Sequence, residues 1–154
     1  MTTYSTKSVD PVLVIDGLTV SLPPSAERVH AVEQVSLEVL PREILCVVGE
    51  SGSGKSVTAH SVMGLLPEDQ LKTVAGTISV LGESIIDASP QRLRQLRGNR
   101  MSMIFQEPMT ALNPVMSLGR QIEEALTEHT NMRSRDRLER VYSLMDAVNL
   151  PDKE

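Results

Sequence analysis

The chain has 154 residues, a formal net charge of −5, 40% hydrophobic residues and 23% charged residues. This is ordinary globular composition for one domain or part of one, and its acidic balance argues against a general nucleic-acid binder. The single cysteine, Cys46, excludes an intrachain disulfide, and no apolar run approaches a membrane span or the core of a signal peptide. The sequence therefore predicts a cytosolic globular protein.

The first part of the chain predicts an antiparallel sheet. Residues 1–10 are polar and predict a loose tail. Apolar pieces on either side of Asp16 and Gly17 predict two short strand segments around a turn or a bulge. Residues 29–39 then alternate between apolar and polar side chains, which predicts a strand with one packed face.

Residues 49–56 spell a complete phosphate-binding loop, Gly-Glu-Ser-Gly-Ser-Gly-Lys-Ser. The unbroken apolar run 44–48 before it predicts a buried parallel strand, in which Cys46 would be an inert core thiol. The apolar positions after the loop predict a helix that ends before Pro67. Strand, loop and helix in this order are the context that the motif requires.

The chemistry of this loop predicts a nucleoside triphosphate as its ligand. Backbone N–H groups from 50 to 56 would form a nest at the helix N-terminus, and the glycines allow the backbone to wrap a phosphate. Lys55 would contact the β- and γ-phosphates, and the Ser56 hydroxyl would ligate Mg²⁺. The predicted nucleotide-binding residues are Gly49, Glu50, Ser51, Gly52, Ser53, Gly54, Lys55, Ser56 and Val57.

The remaining pattern predicts two strands and three helices. In chain order they are a strand at 76–82 bounded by glycines, a short helix at 89–98 with Ser89 as N-cap, a strand at 101–105, and helices near 118–129 and 134–149. Gln106 follows the second of these strands directly. The last helix carries one apolar stripe, formed by Leu138, Val141, Met145 and Val148.

Two motifs together resemble the ATP-binding subunits of ABC transporters, specifically the oligopeptide and dipeptide importers. One is the phosphate loop, which many NTPases share; the other is the run Phe-Gln-Glu-Pro-Met-Thr-Ala-Leu-Asn-Pro at 105–114. The resemblance implies an α/β fold with a P-loop NTPase (RecA-like) core, an N-terminal antiparallel β-subdomain and the start of a helical subdomain. Residues 11–154 would then be the N-terminal part of a nucleotide-binding domain.

The same resemblance implies an ATPase that couples ATP binding and hydrolysis to the import of peptides or related solutes. Its cofactors would be ATP and Mg²⁺. Its partners would be transmembrane permease subunits, a second nucleotide-binding domain and, indirectly, a solute-binding protein, at the cytoplasmic face of the cell membrane. Lys55 and Gln106 are the candidate catalytic residues, and Ser56 and Gln106 the candidate metal ligands. Gln106 would also communicate nucleotide occupancy to the membrane subunits.

The sequence departs from the family pattern in three ways. Leu22 stands where the family usually has an aromatic residue that stacks on adenine, so part of the base affinity would be lost. Arg42 stands where glycine is common, and would be strained if that position needs a positive φ. The Leu-Ser-Gly-Gly-Gln signature, the acidic strand ending in Asp-Glu and the switch histidine are absent from the 154 residues.

These absences leave alternatives open. The chain is expected to be a truncated domain that is inactive on its own, or a non-catalytic remnant that binds nucleotide or a partner without turnover. Another P-loop enzyme, such as a nucleotide kinase, would need acceptor-site arginines and a lid, and nothing after Gln106 supplies them convincingly.

Overall fold

The computed structural model describes residues 9–67, 69–107 and 112–150, and the chain divides between Leu93 and Arg94 into two compact units. Most of the predicted tail, residues 1–8, and residues 108–111 of the run after Gln106 lie outside the described residues. No helix in the described ranges has the length and apolar character needed to cross a membrane.

The first unit contains a four-stranded antiparallel sheet, as the N-terminal pattern predicted. Its strands are β1 (Leu13–Ser21), β2 (His30–Val39), β3 (Lys72–Val80) and β4 (Glu83–Ser84). They lie in the order β2-β1-β3-β4. The third strand begins at Lys72, four residues before the predicted start at Gly76. The sheet is therefore built mainly on β1, which pairs with a long neighbour on each side.

Apolar side chains from the three long strands form the core of this unit. A valine, leucine or isoleucine side chain stabilises the fold by roughly 1.5–3 kcal/mol when it is fully buried. The buried apolar residues of these strands are Ile15, Leu18, Val20, Ala31, Val32, Ile78 and Val80.

A bulge at Gly17 bends β1 where it passes β3. The pairing with β2 shifts register between Ile15 and Leu18, and Gly17 has φ +59°. A Cβ atom built on Gly76 would lie 2.5 Å from the Gly17 carbonyl, so no side chain fits at position 76. The bulge expected around Asp16 and Gly17 is thus confirmed, although the flanking pieces form one strand rather than two.

Two helices follow from the predicted start and stop signals. Helix α1 (Lys55–Met63) ends at Gly64, whose φ of +60° is the left-handed conformation common after a helix. Helix α2 (Pro90–Leu96) begins after Ser89, whose hydroxyl accepts a hydrogen bond from the Arg92 N–H at 3.2 Å.

The Arg92 guanidinium also donates to both carboxylate oxygens of Glu83, at 2.6 and 2.8 Å. These hydrogen bonds hold the pKa of Glu83 below its ordinary value.

The second unit contains the two predicted C-terminal helices, α3 (Leu118–His129) and α4 (Ser134–Ala147). Val141 and Met145 of the predicted apolar stripe are buried, whereas its outer members Leu138 and Val148 remain 47% and 66% exposed. An ion pair joins the two helices, with Arg137 Nε lying 3.5 Å from Glu123 Oε1. Only the middle of the stripe therefore faces a packed surface.

Two predicted strands, 44–48 and 101–105, are not formed. A strand requires a neighbour for its N–H and C=O groups, and a parallel strand is stable only with both faces covered. Within the described part of the chain, 44–48 pair with no strand and 101–105 form a single bridge, between Arg97 and Met101. Ile44 and Ile104 are accordingly 90% and 95% exposed. The prediction of a buried thiol was also wrong, because Cys46 is exposed.

Arg42 adopts the left-handed conformation that the glycine at this position in the family suggested, with φ +65°. The left-handed region costs a non-glycine residue about 1–2 kcal/mol. Glycine avoids this cost, but its greater conformational freedom in the unfolded chain lowers the free energy of unfolding by roughly 0.5–1 kcal/mol.

We therefore expect Arg42→Gly to raise the free energy of unfolding by about 0.5–1 kcal/mol in a denaturant titration. Arg42→Ala is the matched control, because it removes the same charge and keeps the Cβ atom. Equal stabilisation by both substitutions would show that charge, and not backbone strain, is responsible.

Candidate nucleotide-binding site

The N-terminus of α1 is open to an anion. Gly54 precedes the helix as its N-cap, no side chain caps it, and its first turn contains no acidic residue. The first N–H groups of an α-helix have no acceptor within the helix and carry partial positive charge. A phosphate could accept hydrogen bonds from these groups without displacing a protein partner.

Close packing of Gly54 fixes this helix end against β2. Gly54 is buried with φ +94°, and a Cβ atom built there would lie 2.6 Å from the Ala31 carbonyl oxygen and 2.9 Å from Val32 Cγ2. Any other residue would have to move the loop away from the sheet. The glycine thus sets where the open N–H groups lie.

Lys55 lies at the centre of the loop. Its Nζ atom donates to the carbonyl oxygens of Gly49 and Glu50, both at 2.7 Å, and to Ser53 Oγ at 3.2 Å. The Ser53 N–H donates to the Glu50 carbonyl at 3.2 Å, so one N–H of the predicted nest is used within the loop itself. The ammonium group therefore organises the loop and places a full positive charge inside it.

A cavity of about 320 Å³ lies beside the loop, which is within the range of small-molecule sites. Its lining comes from the segment between β1 and β2, from the start of β2, from the loop and α1, and from the two residues before β3. The lining residues are Leu22, Pro23, Arg28, Ala31, Gly52, Ser53, Gly54, Lys55, Ser56, Val57, Gln70 and Leu71. Leu22, which was aligned with the base-stacking position of the family, is thus next to the loop.

Arg28 is a residue of this site that the sequence analysis missed. Its Nη2 atom donates to the Gly52 carbonyl oxygen at 2.7 Å. The signal available was weak, since it consisted of one basic residue in a polar connection that also carries Leu22.

The two candidate metal ligands belong to different units. Ser56 is exposed in the first turn of α1, whereas Gln106 is exposed in the second unit, after the segment that does not form a strand. The described residues contain no cluster of three or more His, Cys, Asp or Glu side chains that could hold a metal. A hydroxyl beside an open helix N-terminus suits Mg²⁺ that arrives with a polyphosphate, because Mg²⁺ uses few protein ligands and keeps phosphate and water oxygens.

Comparison with known sequences identifies the family. The ABC transporter family model matches residues 32–154. The chain belongs to this family. The resemblance carried by the phosphate loop and the run after Gln106 is thereby confirmed.

Peptide-transport proteins are among its curated relatives. The chain is 44% identical over 142 residues to the "Probable D,D-dipeptide transport ATP-binding protein" of Escherichia coli (strain K12), a match that covers 92% of this chain and 43% of the relative. It is 40% identical over 144 residues to the dipeptide transport ATP-binding protein of Bacillus subtilis (strain 168), covering 94% and 43% of the two chains. The chain therefore spans less than half the length of these relatives.

Comparison with solved structures establishes the fold. A dimeric ATP-binding cassette in a post-hydrolysis state, bound to ADP and Pi, matches with a TM-score of 0.75 and 20% identity. The match covers 92% of this chain and 59% of that cassette. The fold is that of an ABC ATPase cassette, as the resemblance implied.

Proposed function

We propose that this chain is the nucleotide-binding part of an ATP-binding subunit that drives the import of peptides or related solutes. One observation carries the proposal: the complete phosphate loop ends at an open helix N-terminus with Lys55 at its centre. Family membership and the names of the curated relatives support the transport role.

In this proposal different residues of the loop bind different parts of the triphosphate and its Mg²⁺ ion. The N–H groups of the first turn of α1 would bind phosphate oxygens, and Lys55 would exchange its hydrogen bonds to loop carbonyls for charge-assisted ones to the β- and γ-phosphates. Ser56 would supply a hydroxyl ligand to Mg²⁺, which neutralises charge on the same phosphates. Gln106 would be a second metal ligand and would respond to the nucleotide.

The partners proposed for such a subunit are transmembrane permease subunits and a second nucleotide-binding domain. A solute-binding protein would deliver the cargo to the permease. The chain would lie at the cytoplasmic face of the cell membrane, held there by contact with the permease. The family assignment and the names of the relatives support this placement.

The test of the coupling role is Gln106→Ala in the complete subunit assembled with its permease. We expect ATP affinity to change by less than about tenfold, which is less than the loss of one hydrogen bond to a charged group, while transport-coupled hydrolysis falls more steeply. Nucleotide binding by calorimetry and peptide uptake into vesicles measure the two effects.

Gln91→Ala is the matched control, because it removes an exposed amide from α2 and should change neither quantity. A large loss of ATP affinity with normal turnover per bound ATP would contradict the coupling role of Gln106. Vesicles that take up peptide without ATP hydrolysis would contradict the proposed function as a whole.

A further inference from the structure

Arg28 links the connection between β1 and β2 to the phosphate loop. The connection is itself ordered by backbone hydrogen bonds, from the Leu22 N–H to Val29 O at 2.8 Å and from the Ala26 N–H to Pro23 O at 2.9 Å. From this turn the Arg28 guanidinium reaches the Gly52 carbonyl oxygen at 2.7 Å. A side chain 24 residues away in sequence is thus part of the loop's surroundings.

Among the described residues that line the cavity, Arg28 and Lys55 are the two cationic side chains, and none is acidic. Neither cation forms an ion pair with a carboxylate in the described part of the chain. Both are instead held by neutral backbone oxygens of the loop. Hydrogen bonds of a cation become shorter and stronger when the acceptor is an anion, so such a pair favours a ligand with several negative charges.

We infer that Arg28, which belongs to the β1–β2 connection, is a second cationic ligand of the polyphosphate and acts together with Lys55. This inference rests on the proposed function. A guanidinium has five N–H donors, and the Gly52 carbonyl oxygen accepts one of them. The others suit the oxygens of a phosphate, which a planar fork binds in pairs.

The position of Arg28 also gives the site a way to sense the number of phosphates. A single cation in a loop neutralises one charge, whereas ATP brings more negative charge than ADP. A second cation near the loop therefore contributes more to the binding of a triphosphate than to that of a diphosphate. Arg28 therefore gives the site a preference for nucleotides with three phosphates.

The test uses calorimetric titration of the purified protein with ATP, ADP and inorganic tripolyphosphate. Arg28→Gln keeps a donor for the Gly52 carbonyl and removes the charge. It is expected to lower the affinity for ATP and for tripolyphosphate by about tenfold to a hundredfold. The affinity for ADP should fall less. Arg28→Lys retains the charge without the fork, and its loss should be intermediate.

The salt dependence separates binding from mere support of the loop. If Arg28 contacts phosphate, the affinity of the native protein falls faster with rising salt than that of Arg28→Gln, because one charge contact has been removed. Lys72→Gln is the matched control, since Lys72 is an exposed cation on β3 that does not line this cavity. It should leave both affinity and salt dependence unchanged.

Three results would overturn the inference. Loss of ATP affinity with unchanged tripolyphosphate affinity would place Arg28 at the base rather than at the phosphates. Equal affinities of Arg28→Gln and the native protein for all three ligands would remove Arg28 from the site. A native protein that binds neither ATP nor tripolyphosphate would contradict the proposed function itself, and the inference with it.

Discussion

Lys55→Ala is expected to abolish measurable binding of Mg·ATP. The substitution removes the cation at the centre of the loop and, with it, three hydrogen bonds from Nζ to Gly49, Glu50 and Ser53. A hydrogen bond to a charged group contributes about 1.5–3 kcal/mol, so two lost phosphate contacts alone would lower affinity by at least about a hundredfold. Loosening of the loop would add to this loss.

Calorimetry with Mg·ATP measures this effect directly, and Lys72→Ala is the control for removing a lysine from the same unit. Ser56→Ala offers a second comparison, because it should weaken the dependence of binding on Mg²⁺ while leaving most phosphate contacts in place. Equal ATP affinity in Lys55→Ala and the native protein would exclude the loop as the nucleotide site.

Local patterns predicted the elements that local interactions can stabilise. The helix predicted near 118–129 is observed as α3 (Leu118–His129), because the serine before it caps it: Ser117 Oγ accepts from the Arg120 N–H at 3.4 Å. The antiparallel strands were predicted because alternation along one strand reveals a packed face without knowledge of its partner.

The runs 44–48 and 101–105 show where such reasoning fails. An apolar run predicts a buried strand only if other strands are present to pair with it, and that condition is not local. Within the described residues neither run has such a neighbour, and Ile44 and Ile104 remain exposed. Composition alone could not distinguish an apolar segment with partners from one without.

The residues of the candidate site also fall into two groups, those that local sequence patterns predict and those that they do not. The loop motif predicted the residues around α1, because residues that are contiguous in sequence are also neighbours in the folded chain. Arg28 could not be predicted, since its contact with Gly52 depends on how the β1–β2 connection folds over a loop 24 residues away. Leu22 was placed near the nucleotide only through the family resemblance, and the cavity lining agrees with that position.

The second large effect concerns turnover: the 154-residue chain alone is expected to show essentially no ATP hydrolysis. Phosphoryl transfer to water needs a residue that orients the attacking water and donors that stabilise the developing charge. The family resemblance assigns the first role to a glutamate after the acidic strand and part of the second to a partner's signature loop. The sequence contains neither motif.

The described residues beside the loop offer no substitute for that glutamate. None of the described residues that line the 320 Å³ cavity is a carboxylate or a histidine. Glu50 is the nearest acid in sequence, but it lies within the loop, where its backbone carbonyl accepts from Lys55 Nζ at 2.7 Å. A carboxylate there would be beside the phosphates rather than in line behind the γ-phosphate, where an attacking water must stand.

A phosphate-release assay on the purified chain tests this expectation, with Lys55→Ala as the control for contaminating ATPases. We expect the native chain to bind Mg·ATP yet release phosphate no faster than Lys55→Ala does. Turnover at about 1 s⁻¹ or faster, the ordinary range of enzymes, that disappears in Lys55→Ala would refute the expectation. Such a result would mean that Lys55, Ser56, Gln106 and Arg28 suffice to position and activate water, so the missing acidic strand would not be required for the chemistry.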